Sequence, residues 1–239
     1  MAFLKATLGR ALIIGLLLVV AKIFAPQIEP RQKENSKDYS WVFVYLLGVA
    51  YYIFIGLPII KVYENSYHAK IITVIFGNLM LLPAIAVIKH KQYSMAQVGL
   101  STRHIKASLK VALAMSLLYF VYSYILEGRT LMITTDVLIC SYQLVFIVSS
   151  AFVNEFIFRG FIQKRLVENY SVAVGILGSS LLEVIACMVL TVIYPNGQSA
   201  IIILSLFYGF MGNILYGYLA YKYDNIYGSV LIRIITNML

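Results

Sequence analysis

The sequence predicts an all-α membrane protein, a bundle of about eight transmembrane helices. Of its 239 residues 61% are hydrophobic and only 12% charged, with a mean hydropathy of +0.86; a soluble domain of that composition would expose more apolar surface than monomers tolerate. The apolar residues also gather in runs of roughly membrane-spanning length that lack the two-residue alternation of a barrel strand. Open sheets leave backbone groups unsatisfied in lipid, so helices are the reading that remains.

In chain order the runs lie near residues 8–26, 41–61, 69–89, 108–127, 136–159, 171–193, 199–221 and 226–239. Lys5 and Arg10 ahead of Ala11–Ala25 have the look of a secretory signal. However, the Ala25-Pro26 junction fits cleavage poorly and further spans follow, so the run is read as a retained first helix. Pro58 and Pro83 sit inside the second and third runs and are expected to kink them, because proline removes a backbone donor. The last run stops at Leu239 and is short for a span; it is expected either to lean within the bundle or to belong to a longer chain. Between the third and fourth runs, Tyr93–Lys106 interleaves Met95, Val98, Leu100 and Ile105 with basic and polar residues, as a segment lying at the headgroup boundary or a plain basic loop would. No linker, repeat or low-complexity tract divides the chain. Residues 1–239 are therefore read as one integral membrane domain, N-terminal helices over 1–92 and a core over 93–239.

The net charge of +9 comes from 19 Lys and Arg against 10 acids. The basic residues lie in short loops rather than on one exposed face, which excludes a nucleic-acid partner and leaves the lipid bilayer as the first one. Arg31, Lys33 and Lys37 fall in the first loop, Lys89, Lys91, Arg103, Lys106 and Lys110 in the third, and Lys164 and Arg165 in the fifth. Lys61, Lys70 and Arg129 occupy the alternate loops. The odd-numbered loops are thus expected at the cytoplasmic face, against which the basic N-terminus argues. Cys140 and Cys187 both fall within spans, a poor setting for a structural disulfide.

Polar groups within the apolar runs carry the chemistry. Asn154-Glu155-Phe156-Ile157-Phe158-Arg159-Gly160 closes the fifth run with Glu155 and Arg159 four residues apart, where they can pair. Glu183 and Cys187 share that spacing on the sixth run, and Arg233 and Asn237 on the eighth. Ionisable side chains at membrane depth are costly unless paired or hydrated, so three helices presenting such pairs describe an interior polar site. His68, His90 and His104 lie in loops or at span ends, away from it.

At these residues the sequence resembles the CPBP family, the CAAX proteases and bacteriocin-processing enzymes also called Abi proteins, over roughly Gln97 to Asn237. Members carry Glu-Glu-x-x-x-Arg, Phe-x-x-x-His and His-x-x-x-Asn or Asp motifs on successive helices. The flanks agree: Arg159-Gly160-Phe161, Ser179-Ser180-Leu181-Leu182, Gly217-Tyr218 and Asp224-Asn225-Ile226-Tyr227-Gly228-Ser229. The resemblance implies a helical intramembrane peptidase, metal- or glutamate-dependent, with the first Glu and the histidines around the attacking water. Here Asn154 stands at the first Glu, Glu183 at the Phe, Cys187 at one His and Arg233 at the other; Glu155, Arg159 and Asn237 match.

A carboxamide cannot serve as general base, and a permanent guanidinium repels a divalent ion. The expectation is therefore no cofactor and no metal, with zinc only if Cys187, Glu183 and Glu155 could ligate it. Cys187 as a nucleophile would lack a His to relay its proton, and a small buried apolar role is preferred. The new charges Glu183 and Arg233 are expected to pair, with Glu155 as the competing partner, or else to serve Arg159; a reversed double variant, Glu183→Arg with Arg233→Glu, should then recover expression lost by either change. Three functional readings follow: a catalytically degenerate member that binds and regulates another membrane or cell-envelope protein in a bacterial plasma membrane, a bacteriocin self-immunity protein, or an endopeptidase with unorthodox residues. Gly209, Gly212 and Gly217 on the seventh run could admit a partner helix, though internal packing is preferred. Tyr93, Tyr221 and Tyr223 suit an interfacial belt, and Tyr119, Tyr122 and Tyr124 an internal position.

Overall fold

The structure is a computed structural model that describes residues 2–23, 37–56, 58, 67–128, 137–193 and 199–239. Its helices are α1 (Ala2–Ile23), α2 (Ser40–Tyr51, passing into a π turn at Tyr52–Gly56), α3 (Tyr67–Leu79), α4 (Leu82–Lys91), α5 (Ile105–Glu127), α6 (Val137–Glu155), α7 (Lys164–Asn169), α8 (Val172–Ile193), α9 (Ser199–Tyr223) and α10 (Tyr227–Met238). There is no strand among the described residues; one isolated bridge joins Leu100 to Asn225. By length and composition Val74–Lys91, Ile105–Ile125 and Cys140–Asn169 can cross a membrane, and shorter apolar helices cover Leu12–Ile23, Ser40–Gly56 and Val172–Met188.

The third run is interrupted at its proline as expected, and more sharply than by a kink: α3 ends at Leu79, the chain turns at Met80-Leu81, and Pro83 falls in the first turn of α4, where its missing donor would be unsatisfied anyway. The residues flanking Pro58 lie outside those described. The fifth run, against expectation, does not close at Arg159. From Glu155 it passes into a π-helical stretch, Phe156–Gln163, and on through α7 to Asn169. All eight residues of that stretch are buried.

Two apolar cores hold the bundle. One gathers Val153, Phe156, Ile157, Phe158, Phe161 and Ile162 of the central helix with Val44 of α2, Ala84 of α4 and Ala220 of α9. The other packs Ile13, Ile14, Leu17 and Ala21 of α1 on Val111 and Met115 of α5 and Leu215, Leu219 and Tyr223 of α9, with Ile232 of α10. Tyr223 is thus a core residue rather than a belt residue, while Tyr124 is 58% exposed rather than internal. Gly217 packs internally, since a Cβ there would lie 2.7 Å from Gln163 Oε1, but Gly209 faces open space.

Tyr93–Lys106 is a docked connection. Ser94 and Gln97 form a capping box around the 3-10 turn Met95–Val98, Val98 and Gly99 are buried, and Met95 is exposed. The Ile226 N–H donates to the Gly99 carbonyl at 3.0 Å. Lys164 and Arg165 are likewise not loop charges. Each is buried on α7, Lys164 donating to Asp224 at 2.9 Å and to the Ala96 carbonyl at 2.6 Å, Arg165 to Glu168 and to the Gln97 carbonyl.

Asp38 ties this end together. Its backbone N–H donates to Asn169 Oδ1 at 2.9 Å and its carbonyl accepts from Asn169 Nδ2 at 2.6 Å. Its carboxylate accepts from Lys91 at 2.6 Å and from the Tyr93 hydroxyl, with Arg165 Nε at 3.5 Å; the Arg165 guanidinium stacks 4.0 Å over the Tyr93 ring. Burial alone would raise its pKa, but the bonds from Lys91, Tyr93 and Ser40 outweigh that and hold the carboxyl well below the usual carboxylate range. Burial, and then the bond to Asp38, push the Tyr93 hydroxyl up. A depressed folded pKa stabilises the fold above the unfolded value of about 4, and that stability is lost as pH falls toward the folded value. Asp38→Asn is expected to cost about 1–3 kcal/mol at neutral pH. Thermal unfolding at pH 7 and pH 4 should show the gap between wild type and variant narrowing at the lower pH.

Candidate functional site

The polar pairs of three runs meet between α6, α8 and α10. Glu155 ends α6, Arg159 lies in the π stretch behind it, Glu183 is on α8 and Arg233 on α10. Glu155 and Arg159 are fully buried and Glu183 and Arg233 each 6% exposed. The four alternate in sign around a closed ring. Arg159 Nη2 lies 2.8 Å from Glu183 Oε2, Glu183 Oε1 2.6 Å from Arg233 Nη2, Arg233 Nε 3.0 Å from Glu155 Oε1, and Glu155 Oε2 4.0 Å from Arg159 Nε.

The expected Glu183–Arg233 pair is therefore present, and so is its competitor, Glu155–Arg233. Glu155 serves Arg159 least of all, although the i,i+4 spacing suggested otherwise. That rule presumes α-helical geometry, and the π stretch begins one residue after Glu155. With two charges of each sign the ring is neutral, the condition under which such groups are tolerated in lipid.

A second set of polar groups holds the ring. Arg233 Nη2 donates to Asn213 Oδ1 at 2.7 Å, and its guanidinium lies 4.9 Å from the Tyr216 ring centre. Arg159 Nη1 donates to Ser179 Oγ at 3.1 Å, Ser179 Oγ to Gln163 Oε1 at 3.3 Å, and Gln163 Nε2 to the Gly217 carbonyl at 2.8 Å. Asn213, Gln163 and Tyr216 escaped the sequence reading. Asn213 carries the same signal as the others, a polar side chain inside an apolar run, but without a charge to mark it.

The remaining candidates are not members of the ring, though two of them adjoin it. Asn154 is half-buried and lines a neighbouring cavity. Cys187 is exposed along the same cavity, so the buried apolar role expected for it is corrected; Cys140 and Cys187 form no disulfide. Glu183, one turn before Cys187 on α8, lines this cavity too while its carboxylate is held by two guanidinium groups. Asn237 is exposed near the end of α10. His90 is exposed on α4 and His104 caps α5 with φ +57°; the side chain of His68 lies outside those described.

The donor set does not fit a zinc ion. Among the described residues no group of three or more His, Cys, Asp or Glu could hold a metal, and Arg233 sits within 3.0 Å of both glutamates, where a second cation would be repelled. Both glutamates of the ring face guanidinium groups, although neither Glu155 oxygen takes a hydrogen bond from a described residue.

Comparison with curated proteins and with solved structures found no match. Residues 136–239 match the family model described as type II CAAX prenyl endopeptidase Rce1-like. That stretch begins at the foot of α6 and contains all four ring residues together with Asn154, Cys187 and Asn237. An all-α architecture, helices apolar enough to cross a membrane and this match agree: the chain is an integral membrane protein whose residues 136–239 are similar to the CAAX-protease-like family.

Proposed function

We propose that the chain is a non-catalytic member of this family that acts by binding another membrane or cell-envelope protein in a bacterial plasma membrane. Self-immunity toward a bacteriocin is one form such binding takes. The observation that supports the reading is the closed ring: both glutamates at the site face guanidinium groups, and Arg233 occupies the place where the family pattern has an imidazole. The alternative is an endopeptidase using Glu155 or Cys187.

Purified protein in lipid nanodiscs, offered a prenylated CAAX peptide with and without added zinc, separates the two. The expected result is no cleavage above a protein-free control and less than stoichiometric zinc by elemental analysis. Glu155→Gln and Cys187→Ala should leave co-purification of a membrane-protein partner intact when folding is intact. Cleavage abolished by either substitution would establish the peptidase instead.

A further inference from the structure

Beside the ring, residues of α2, α3, α6 and α8 line a cavity of about 300 Å³. Its walls are largely aliphatic and aromatic, among them Val49, Ile53, Val74, Phe146 and Ile157. Glycine keeps it open from two sides. Gly48 of α2 and Gly77 of α3 both line it; a Cβ on Gly77 would meet nothing within 4 Å, and one on Gly48 only Met80 Cε at 4.0 Å. Helix glycines in membranes usually let two backbones approach. These two make volume instead.

The polar groups around the cavity are nearly all committed. Tyr45 donates to the Leu182 carbonyl at 3.0 Å, Ser150 to the Ile147 carbonyl at 3.1 Å, Ser149 Oγ accepts from Asn78 at 2.7 Å, and Glu183 is held by Arg159 and Arg233. The exception is Asn154, whose half-buried carboxamide bonds to none of the described residues. It offers two N–H donors and an acceptor, and no charge.

We propose that this cavity binds the hydrocarbon chain of a neutral amphiphile, with an uncharged hydrogen-bonding head group set against the Asn154 carboxamide. An apolar cavity at membrane depth fills with chain rather than water, because water there finds too few polar partners. A charged head is excluded, since the neutral ring leaves no charge to meet it. Hydroxyl, ester and amide groups all match a carboxamide. The proposal is independent of whether the protein cleaves anything, and its test needs no turnover.

The probe is a monoacylglycerol carrying a chain-terminal diazirine, photolysed with the full chain in phosphatidylcholine nanodiscs and mapped by mass spectrometry. Saturable labelling of Ile53, Val74 or Phe146 is expected, competed by unlabelled monoacylglycerol and poorly by the fatty-acid anion of the same length. Gly77→Leu and Gly48→Leu should each weaken labelling at least about tenfold, equivalent to about 1.4 kcal/mol, and Asn154→Leu should erase the preference for the neutral head. If a leucine variant does not fold, Gly77→Ala and the saturability of the wild-type signal decide. Non-saturable labelling confined to outward residues such as Leu46, Leu144 and Val145 would mean annular lipid only and overturn the proposal. So would wild-type labelling of a folded Gly77→Leu.

Discussion

Arg233→Leu is expected to be among the most damaging single substitutions in the chain, costing about 3–5 kcal/mol, because it leaves two buried carboxylates sharing one guanidinium. Arg233 approaches Glu155 at 3.0 Å and Glu183 at 2.6 Å, and neither glutamate is more than 6% exposed. Adding Glu183→Leu restores neutrality, leaving Glu155 facing Arg159, so the double variant should regain most of the loss. Charge reversal behaves differently. Glu183→Arg with Arg233→Glu keeps the pair but sets position 183 against Arg159 and position 233 against Glu155, so like charges meet on both remaining contacts. The rescue expected of an isolated pair should therefore fail. Melting temperatures in nanodiscs check both: a reversed double variant as stable as wild type, or an Arg233→Leu variant within about 1 kcal/mol of it, would dissolve the ring.

The same ring shows what the sequence makes legible. Polar residues at i and i+4 within apolar runs located Glu155, Arg159, Glu183 and Arg233, since only internal pairing makes such charges tolerable in lipid. Which carboxylate faces which guanidinium was not legible, because it depends on the π stretch Phe156–Gln163, and no residue type announces a change of helical pitch. Cys187 misled for a related reason: sharing a helical face with Glu183 fixes its direction only to within the width of that face, and the cavity lies along its edge.

Loop charge was legible in its parity but not its role. The first, third, fifth and seventh connections meet at one end of the bundle, through Asp38 with Lys91 and Arg165, and Lys164 with Asp224. Lys164 and Arg165, which the sequence places in the fifth loop, are the buried members of those contacts. Sequence reports where cations fall relative to spans; it does not report which of them an acid from another loop will claim.

Gly160→Ala is expected to destabilise the protein by about 1–3 kcal/mol, the range for overpacking a filled interior, and at its upper end because the obstacle is backbone. A Cβ on Gly160 would lie 2.5 Å from the Val98 carbonyl oxygen, which no rotamer change can move. Its neighbour across the contact has the same constraint twice over: Gly99 adopts φ +82°, which L side chains rarely take, and its Cβ would meet Gly160 Cα at 2.7 Å. The two glycines thus press the connection after α4 onto the π stretch, next to Arg159 and one turn from Glu155. The loss should reach the ring, so Gly160→Ala and Arg233→Leu should be less than additive in a double-variant cycle of melting temperatures. Strict additivity would mean that the Gly99–Gly160 contact and the ring are held independently. Gly209→Ala serves as the control, since its Cβ would meet nothing within 4 Å; alanine also has the better helix propensity, so it should match or exceed wild-type stability.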